Sequence, residues 1–247
     1  MGMLAGKTAL VTGGRQGIGR GIADRFAEEG RKVKLTRRCE RPEDLPAHFE
    51  WRESDVTDAA AVDRLAAGVG NLDILVNNAG VQIEKTVTET SDDDWDLLMG
   101  TNAKGVLLMC GALIQRMTDG GSIINIGSIS GQTADPGLAL YNASKAFVHG
   151  LTRSIAVDHG PHVRCNAICP GWIMTGMADA AFALANEPER AKSDAMARHP
   201  AGRFGQPSDI AAMATWLASD QSAFTTGQCF VVDGGLTAAS PLNPGLF

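Results

Sequence analysis

The stretch Thr8-Ala9-Leu10-Val11-Thr12-Gly13-Gly14-Arg15-Gln16-Gly17-Ile18-Gly19 decides the fold. An apolar run, Thr8–Val11, leads straight into a glycine-rich turn, and an amphipathic stretch, Ile18–Glu29, follows. Glycines here permit a tight turn and let the backbone approach a pyrophosphate, which then rests on the helix N-terminus. An ordinary strand-to-helix turn would also account for a glycine cluster. The position after a first strand, with a helix and a second strand behind it, favours a dinucleotide site.

Outward from this unit the same alternation continues almost to the end of the chain. Strands are expected at Lys32–Thr36, Phe49–Glu53, Leu72–Val76, Ser122–Ile126, Val163–Cys169 and Gln228–Val232. Helical patterns lie between them, at Asp58–Ala67, Trp95–Gln115, Leu140–His159 and Ser208–Ser219. Near-continuous apolar strands separated by helices mark a parallel sheet covered on both faces. The expected fold is therefore α/β, a Rossmann-like doubly wound parallel sheet of about seven strands with helices on both faces. No repeat or linker divides the 247 residues, which read as one dinucleotide-binding domain. Arg37 to His48 is too short and proline-rich for a full helix, whereas Ser91 and Asp94 form a helix-capping pattern. The stretch from Gly171 to Arg203 holds no strand and is a candidate substrate-covering segment.

Composition narrows the function. A net charge of −6 and a pI near 5.4 argue against a nucleic-acid surface. No apolar run reaches the roughly 20 residues that span a bilayer, and Met1–Lys7 does not read as a signal peptide. A cytoplasmic location is expected. Cys165 and Cys169 lie four apart on one expected strand, about 13 Å from each other, too far to share a zinc ion. The five histidines show no ligand spacing, so no metal is expected.

Ligands of open α/β sheets bind beyond the carboxyl ends of the strands. Beyond the second strand stand Arg37 and Arg38, with no acid before Glu40. A carboxylate there would favour NAD. Two guanidiniums suit the 2′-phosphate of NADP, unless they are simply a solvated pair. Beyond the fourth strand comes Asn77-Asn78-Ala79-Gly80, and beyond the fifth Gly127-Ser128. Tyr141, the only tyrosine, precedes Lys145 by one helical turn, so both point to one side. A nearby ammonium favours the phenolate and is expected to lower the tyrosine pKa, fitting it for general acid–base work.

With these residues in hand, the chain resembles the short-chain dehydrogenase/reductase family from Lys7 to Leu236. The resemblance rests on Thr12-Gly13-x-x-x-Gly17-Ile18-Gly19, Asp55, Asn77–Gly80, Asn102, Ser128, Tyr141-x-x-x-Lys145, Pro170-Gly171 and Asp233-Gly234-Gly235. It implies an oxidoreductase that moves hydride between NAD(P)(H) and a carbonyl or secondary alcohol. It also implies that Tyr141 exchanges the proton, that Ser128 holds the substrate oxygen, and that Lys145 holds the nicotinamide ribose. Asn102 would support a water leading to Lys145. The implied cofactor contacts are Gly13, Arg15, Gln16, Gly17, Ile18 and Gly19 in the turn, then Arg37, Arg38, Asp55 and Val56. Asn78, Ala79, Gly80, Pro170, Gly171, Ile173 and Thr175 complete them. Family members are commonly tetramers that pair the helices read at Trp95–Gln115 and Leu140–His159. One departure is Gln16, where NADP-using members often carry a basic residue; Arg15 precedes it.

Gln82, Gln132, Trp172 and Met174 are the side chains expected near a small-molecule substrate, whose identity they leave open. A catalytically silent dinucleotide-binding scaffold or redox sensor is the rival reading, and the intact tyrosine–lysine pair tells against it. The apolar end, Pro241–Phe247, reads either as a frayed terminus or as a segment reaching a neighbouring subunit's cleft.

Overall fold

The computed structural model describes residues 2–30 and 32–239; the Pro241–Phe247 reading lies outside them. Seven strands form one sheet: β1 (Thr8–Thr12), β2 (Lys32–Arg37), β3 (Glu50–Glu53), β4 (Leu72–Asn77), β5 (Met117–Ile126), β6 (Val163–Pro170) and β7 (Cys229–Val232). Their order is β3-β2-β1-β4-β5-β6-β7 and every pairing is parallel. The order reverses between β1 and β4, which opens a crevice at the strands' carboxyl ends.

Side-chain alternation builds the two apolar layers. Ala9 and Val11 of β1 face one side, with α1 (Gly17–Glu28) and α8 (Pro207–Ala218), whereas Leu10 faces the other. The second layer holds α2 (Ala59–Val69), α4 (Gly105–Leu113) and α5 (Ala139–His159). Phe26 and Ile22 of α1 are completely buried. Each such side chain contributes roughly 1.5–3 kcal/mol of burial free energy, anchoring the glycine turn that precedes the helix.

Three expectations need correction. The helix read at Trp95–Gln115 begins earlier, as α3 (Asp92–Met99), and is interrupted by a π-turn over Gly100–Lys104 before α4. The helical run Asp92–Arg116 also passes for a membrane span by length and mean hydropathy, contrary to the sequence expectation. Half of its apolar window is buried, because Val106, Met109, Cys110 and Leu113 pack into the second core layer. The segment from Gly171 to Arg203 holds no strand, as expected, and carries two helices, α6 (Gly176–Ala183) and α7 (Pro188–Ala197). In addition β5 starts five residues before the expected Ser122, since Met117 pairs with Leu72 before a register shift. The polar Thr118-Asp119-Gly120-Gly121 hides that start, because such residues ordinarily signal a turn.

No helix joins β2 to β3, as the short Arg37–His48 connection requires. The α3 cap forms as its pattern implies. Ser91 Oγ accepts from the Asp94 amide at 3.2 Å, while Asp94 Oδ2 accepts from Ser91 N at 2.9 Å and from Lys85 Nζ at 2.6 Å. These donors, Lys85 first, hold the Asp94 carboxyl down from its usual 3.8 to about 2. A depressed folded-state pKa means stabilisation that is complete above the usual pKa and lost as pH falls through about 2. Asp94→Asn is therefore expected to lower the thermal midpoint at neutral pH, with the gap to wild type closing between pH 4 and about 2. A pH-independent gap in thermal melts would show that the carboxylate charge does not matter.

Candidate active site

The crevice between β1 and β4 opens into a cleft of about 320 Å³ lined by residues from nearly every strand end. Its floor is the glycine turn. Gly13 has φ +65°, a left-handed conformation, and its amide donates to Thr36 O at 2.8 Å. Thr12 Oγ1 accepts from the amides of Asn78 and Ala79 at 2.9 and 3.0 Å. Asn78 Nδ2 returns the contact, donating to Thr12 O at 2.9 Å and Gly13 O at 3.2 Å. A Cβ on Gly19 would stand 2.3 Å from that Nδ2, so Gly19 exists for close packing.

One end of the cleft is polar and basic. Thr36, Arg37, Arg38, Ser54 and Asp55 line it. Thr36 Oγ1 and Ser54 Oγ are buried with no hydrogen-bond partner. Neither Arg37 nor Arg38 pairs with a carboxylate among the described residues. Unmet buried hydroxyls beside free guanidiniums fit the ribose-phosphate end of a dinucleotide. Asp55 Oδ1 accepts from Thr57 N at 2.9 Å, which fixes the carboxylate at the rim.

The other end carries the hydroxyls. Ser128 follows β5, and Tyr141 and Lys145 rise from the first turns of α5. All three line the cleft. Lys145 Nζ donates to Ile126 O at 2.9 Å and stands 5.5 Å from the centre of the Tyr141 ring. Burial raises the Tyr141 phenol above its ordinary value; a hydrogen bond from Ser128 opposes this, and Asp135 adds to it. Burial likewise pushes the Lys145 amine down to about 8. The expected lowering of Tyr141 by Lys145 is therefore not what this geometry gives. The ammonium faces the ring and a carbonyl rather than the phenol oxygen, and desolvation dominates both groups.

Asn102 stands apart from the cleft, 2% exposed, inside the π-turn. Its Oδ1 accepts from Val81 N at 2.9 Å, and its Nδ2 donates to Val81 O at 2.8 Å and Ser144 Oγ at 3.2 Å. Ser144 Oγ then donates to Tyr141 O at 2.8 Å. A π-turn widens the helix locally and re-aims one side chain, a common device near functional sites. Here it lets one amide tie the loop after β4 to the turn of α5 that bears Tyr141.

Most of the remaining sequence-derived residues gather here. Gln16, Gly17, Ile18, Val56, Gly80, Pro170, Gly171, Ile173 and Thr175 line the cleft, as do Gln82 and Trp172. Four do not. Gly19 packs below the turn, and Arg15 leans towards Asp44 at 3.9 Å. Gln132 is exposed beyond the rim. The Met174 amide is used on Gly205 O at 2.9 Å, and Met177, Ala178 and Ala181 of α6 line the wall instead. No motif in the sequence marks Ser130 or Asp135, whereas the α6 residues fall in the segment expected to cover the substrate. Trp172 stacks on Phe182 at 4.7 Å, and Phe182 meets Phe204 at 5.6 Å, which holds α6 against the cleft.

Comparison with known proteins places this arrangement. A family model described as enoyl-(acyl carrier protein) reductase matches residues 13–237. The chain belongs to the short-chain dehydrogenase/reductase family. It is 36% identical to the 3-oxoacyl-(acyl-carrier-protein) reductase FabG of Thermotoga maritima, over 94% of this chain and 98% of that one. It is 38% identical to the NADP-dependent (R)-specific alcohol dehydrogenase of Lentilactobacillus kefiri, over 95% and 98%. The ligand-free aldohexose dehydrogenase of Thermoplasma acidophilum superposes with a TM-score of 0.90 at 34% identity, over 96% of both chains. This protein is thus a nicotinamide-dependent oxidoreductase of alcohol or carbonyl groups.

Asn102→Ala strands the Val81 amide and carbonyl, and such buried losses cost about 1–3 kcal/mol. The denaturant midpoint is expected to fall accordingly, with no change in m-value. A wild-type midpoint would show that the Val81–Asn102–Ser144 link carries no stability.

Proposed function

We propose that the protein interconverts a small carbonyl compound and its secondary alcohol with NADP(H), Tyr141 acting as the general acid in reduction and the general base in oxidation. The observation that carries this reading is the convergence of the Ser128 and Tyr141 hydroxyls in one cleft, with Lys145 against the tyrosine ring. When bound, the nicotinamide supplies or accepts the hydride. Ser128 donates to the substrate oxygen and Tyr141 moves the proton at that oxygen. Lys145, buried and held by Ile126 O against the face of the Tyr141 ring, secures the cofactor ribose. Asn102 acts by positioning, through Ser144, the turn on which Tyr141 stands.

NADP rather than NAD is supported by the unpaired Arg37 and Arg38 and by the missing acid at the end of β2. The relative from Lentilactobacillus kefiri is named as NADP-dependent. The chain acts as one domain, with residues 171–203 as the covering segment and residues 236–247 as a tail. A homotetramer is supported by large apolar side chains left exposed on the α3–α4 and α5 faces, Trp95, Leu97, Leu107 and Phe147. A cytoplasmic enzyme without a nucleic-acid or membrane partner completes the reading.

General acid–base groups contribute about 10²–10⁴-fold to turnover. Tyr141→Phe is expected to lose that much kcat while still quenching or enhancing NADPH fluorescence on binding. A variant keeping more than about a tenth of wild-type kcat would remove Tyr141 from the proton transfer.

Cofactor choice has its own measurement. The ratio of kcat/KM for NADPH over NADH is expected to exceed one and to invert in Arg37→Asp, which replaces a phosphate partner with a repelling charge. A wild-type preference for NADH would show that the two arginines are only solvated.

A further inference from the structure

Behind the turn that carries Ser128 lies a group of soft donors that the proposed proton transfer does not use. His149 stands one turn past Lys145 on α5, Cys169 lies near the end of β6, and Cys229 opens the edge strand β7. Their ligand atoms all lie within 4.8 Å of one another, and Cys169 Sγ is 3.1 Å from His149 Nε2. Cys169 and His149 are buried, and Cys229 is half-buried. The imidazole is packed in place: a Cβ on Gly127 or Gly131 would come within 2.6 or 2.5 Å of it. These two glycines flank Ser128 and leave room for the ring.

A disulfide is the first alternative, and the register tells against it. Cys229 pairs with Ala167 and Cys169 with Val231, so the cysteines share a face but sit diagonally. Strands about 4.8 Å apart and a two-residue offset of about 6.6 Å put their Cα atoms roughly 8 Å from each other. That exceeds the roughly 7 Å that a disulfide spans without backbone movement. A metal ion spans such a gap without a sulfur–sulfur bond. Bonds of about 2.3 Å to sulfur and about 2.0 Å to nitrogen set tetrahedral ligand atoms about 3.5–3.8 Å apart, a small adjustment from the separations here.

Charge agrees with this. Lys145 and Arg153 both act electrostatically on His149, so an added net positive charge would be resisted. Two thiolates neutralise a divalent cation, and each thiol gives its proton to solvent as it ligates. Among the described residues, this is the one such three-donor group.

We propose that His149, Cys169 and Cys229 form a binding site for a single thiophilic divalent cation of the zinc class, with a water as fourth ligand on the Cys229 side. Thiolate and imidazole donors select such ions over magnesium or calcium. The ion enters at the sheet edge, where Cys229 is partly open.

The experiment uses the full chain, freed of metal by chelation and titrated with Co²⁺ as the spectroscopic probe. A near-ultraviolet sulfur-to-cobalt charge-transfer band is expected to saturate at one equivalent and to be bleached by stoichiometric Zn²⁺. Cys229→Ser is expected to weaken binding by well over about tenfold, the least that even outer-shell changes cost a metal site. Cys39→Ser, remote from the cluster, is expected to bind as wild type. In the unmodified protein, Zn²⁺ is expected to shield Cys229 from iodoacetamide, read by peptide mass spectrometry, which tests the site without any variant. Absence of the band, saturation above one equivalent, unaltered binding by Cys229→Ser, or alkylation of Cys229 at the same rate with and without Zn²⁺ would each overturn the proposal.

Discussion

The Thr12 hydroxyl, which accepts the amides of both Asn78 and Ala79, is the contact on which the site depends. It joins the end of β1 to the end of β4 at the one place where the strand order reverses. Parallel strands leave their last carbonyls and amides pointing into the crevice, and this side chain converts two loose loop ends into one floor. Asn78 answers from the opposite side, through the carbonyls of Thr12 and Gly13. The glycine turn keeps its shape because the β4 loop holds it, and it holds the β4 loop in return.

From that floor the rest of the cleft is assembled by similar short links. Asn102 reaches across to Val81 and Ser144, so the same β4 loop is tied to α5. The Lys145 ammonium donates to the carbonyl of Ile126, which ties α5 to β5. Lys145 is thus fixed by a backbone carbonyl at a strand end, and the turn bearing Tyr141 by side-chain links to the β4 loop. Burial sets their electrostatics. It raises the phenol and lowers the amine, which favours the neutral form of both groups and sets their pKa values further apart than in water.

The carboxyl ends of β5, β6 and β7 continue the same theme. His149 occupies the space left by Gly127 and Gly131, and its ring lies against Cys169. The turn bearing Ser128 is therefore backed by a polar, soft-donor layer rather than by aliphatic core. Above the cleft, the aromatic contacts of Trp172, Phe182 and Phe204 seat α6 as a wall.

Local sequence determined the strand–turn–helix unit at Thr8–Glu28, the alternation of strands and helices, the cap at Ser91–Asp94 and the shared face of Tyr141 and Lys145. Each depends on residues within a turn or two of one another, where backbone sterics and side-chain period suffice. Local patterning did not disclose the π-turn around Asn102, the early start of β5, or the helices in the segment after Gly171. The π-turn is stabilised by partners 21 and 42 residues away, and the β5 start by pairing with Leu72. It also misread the electrostatics of Tyr141. Spacing says which groups share a face, but how far each is desolvated, and which atom its neighbour contacts, depends on packing from other elements. The grouping of His149, Cys169 and Cys229 is the clearest case. Their spacing along the chain carries no ligand signature, and only the parallel register of β6 with β7, with α5 packed against them, brings three donors together.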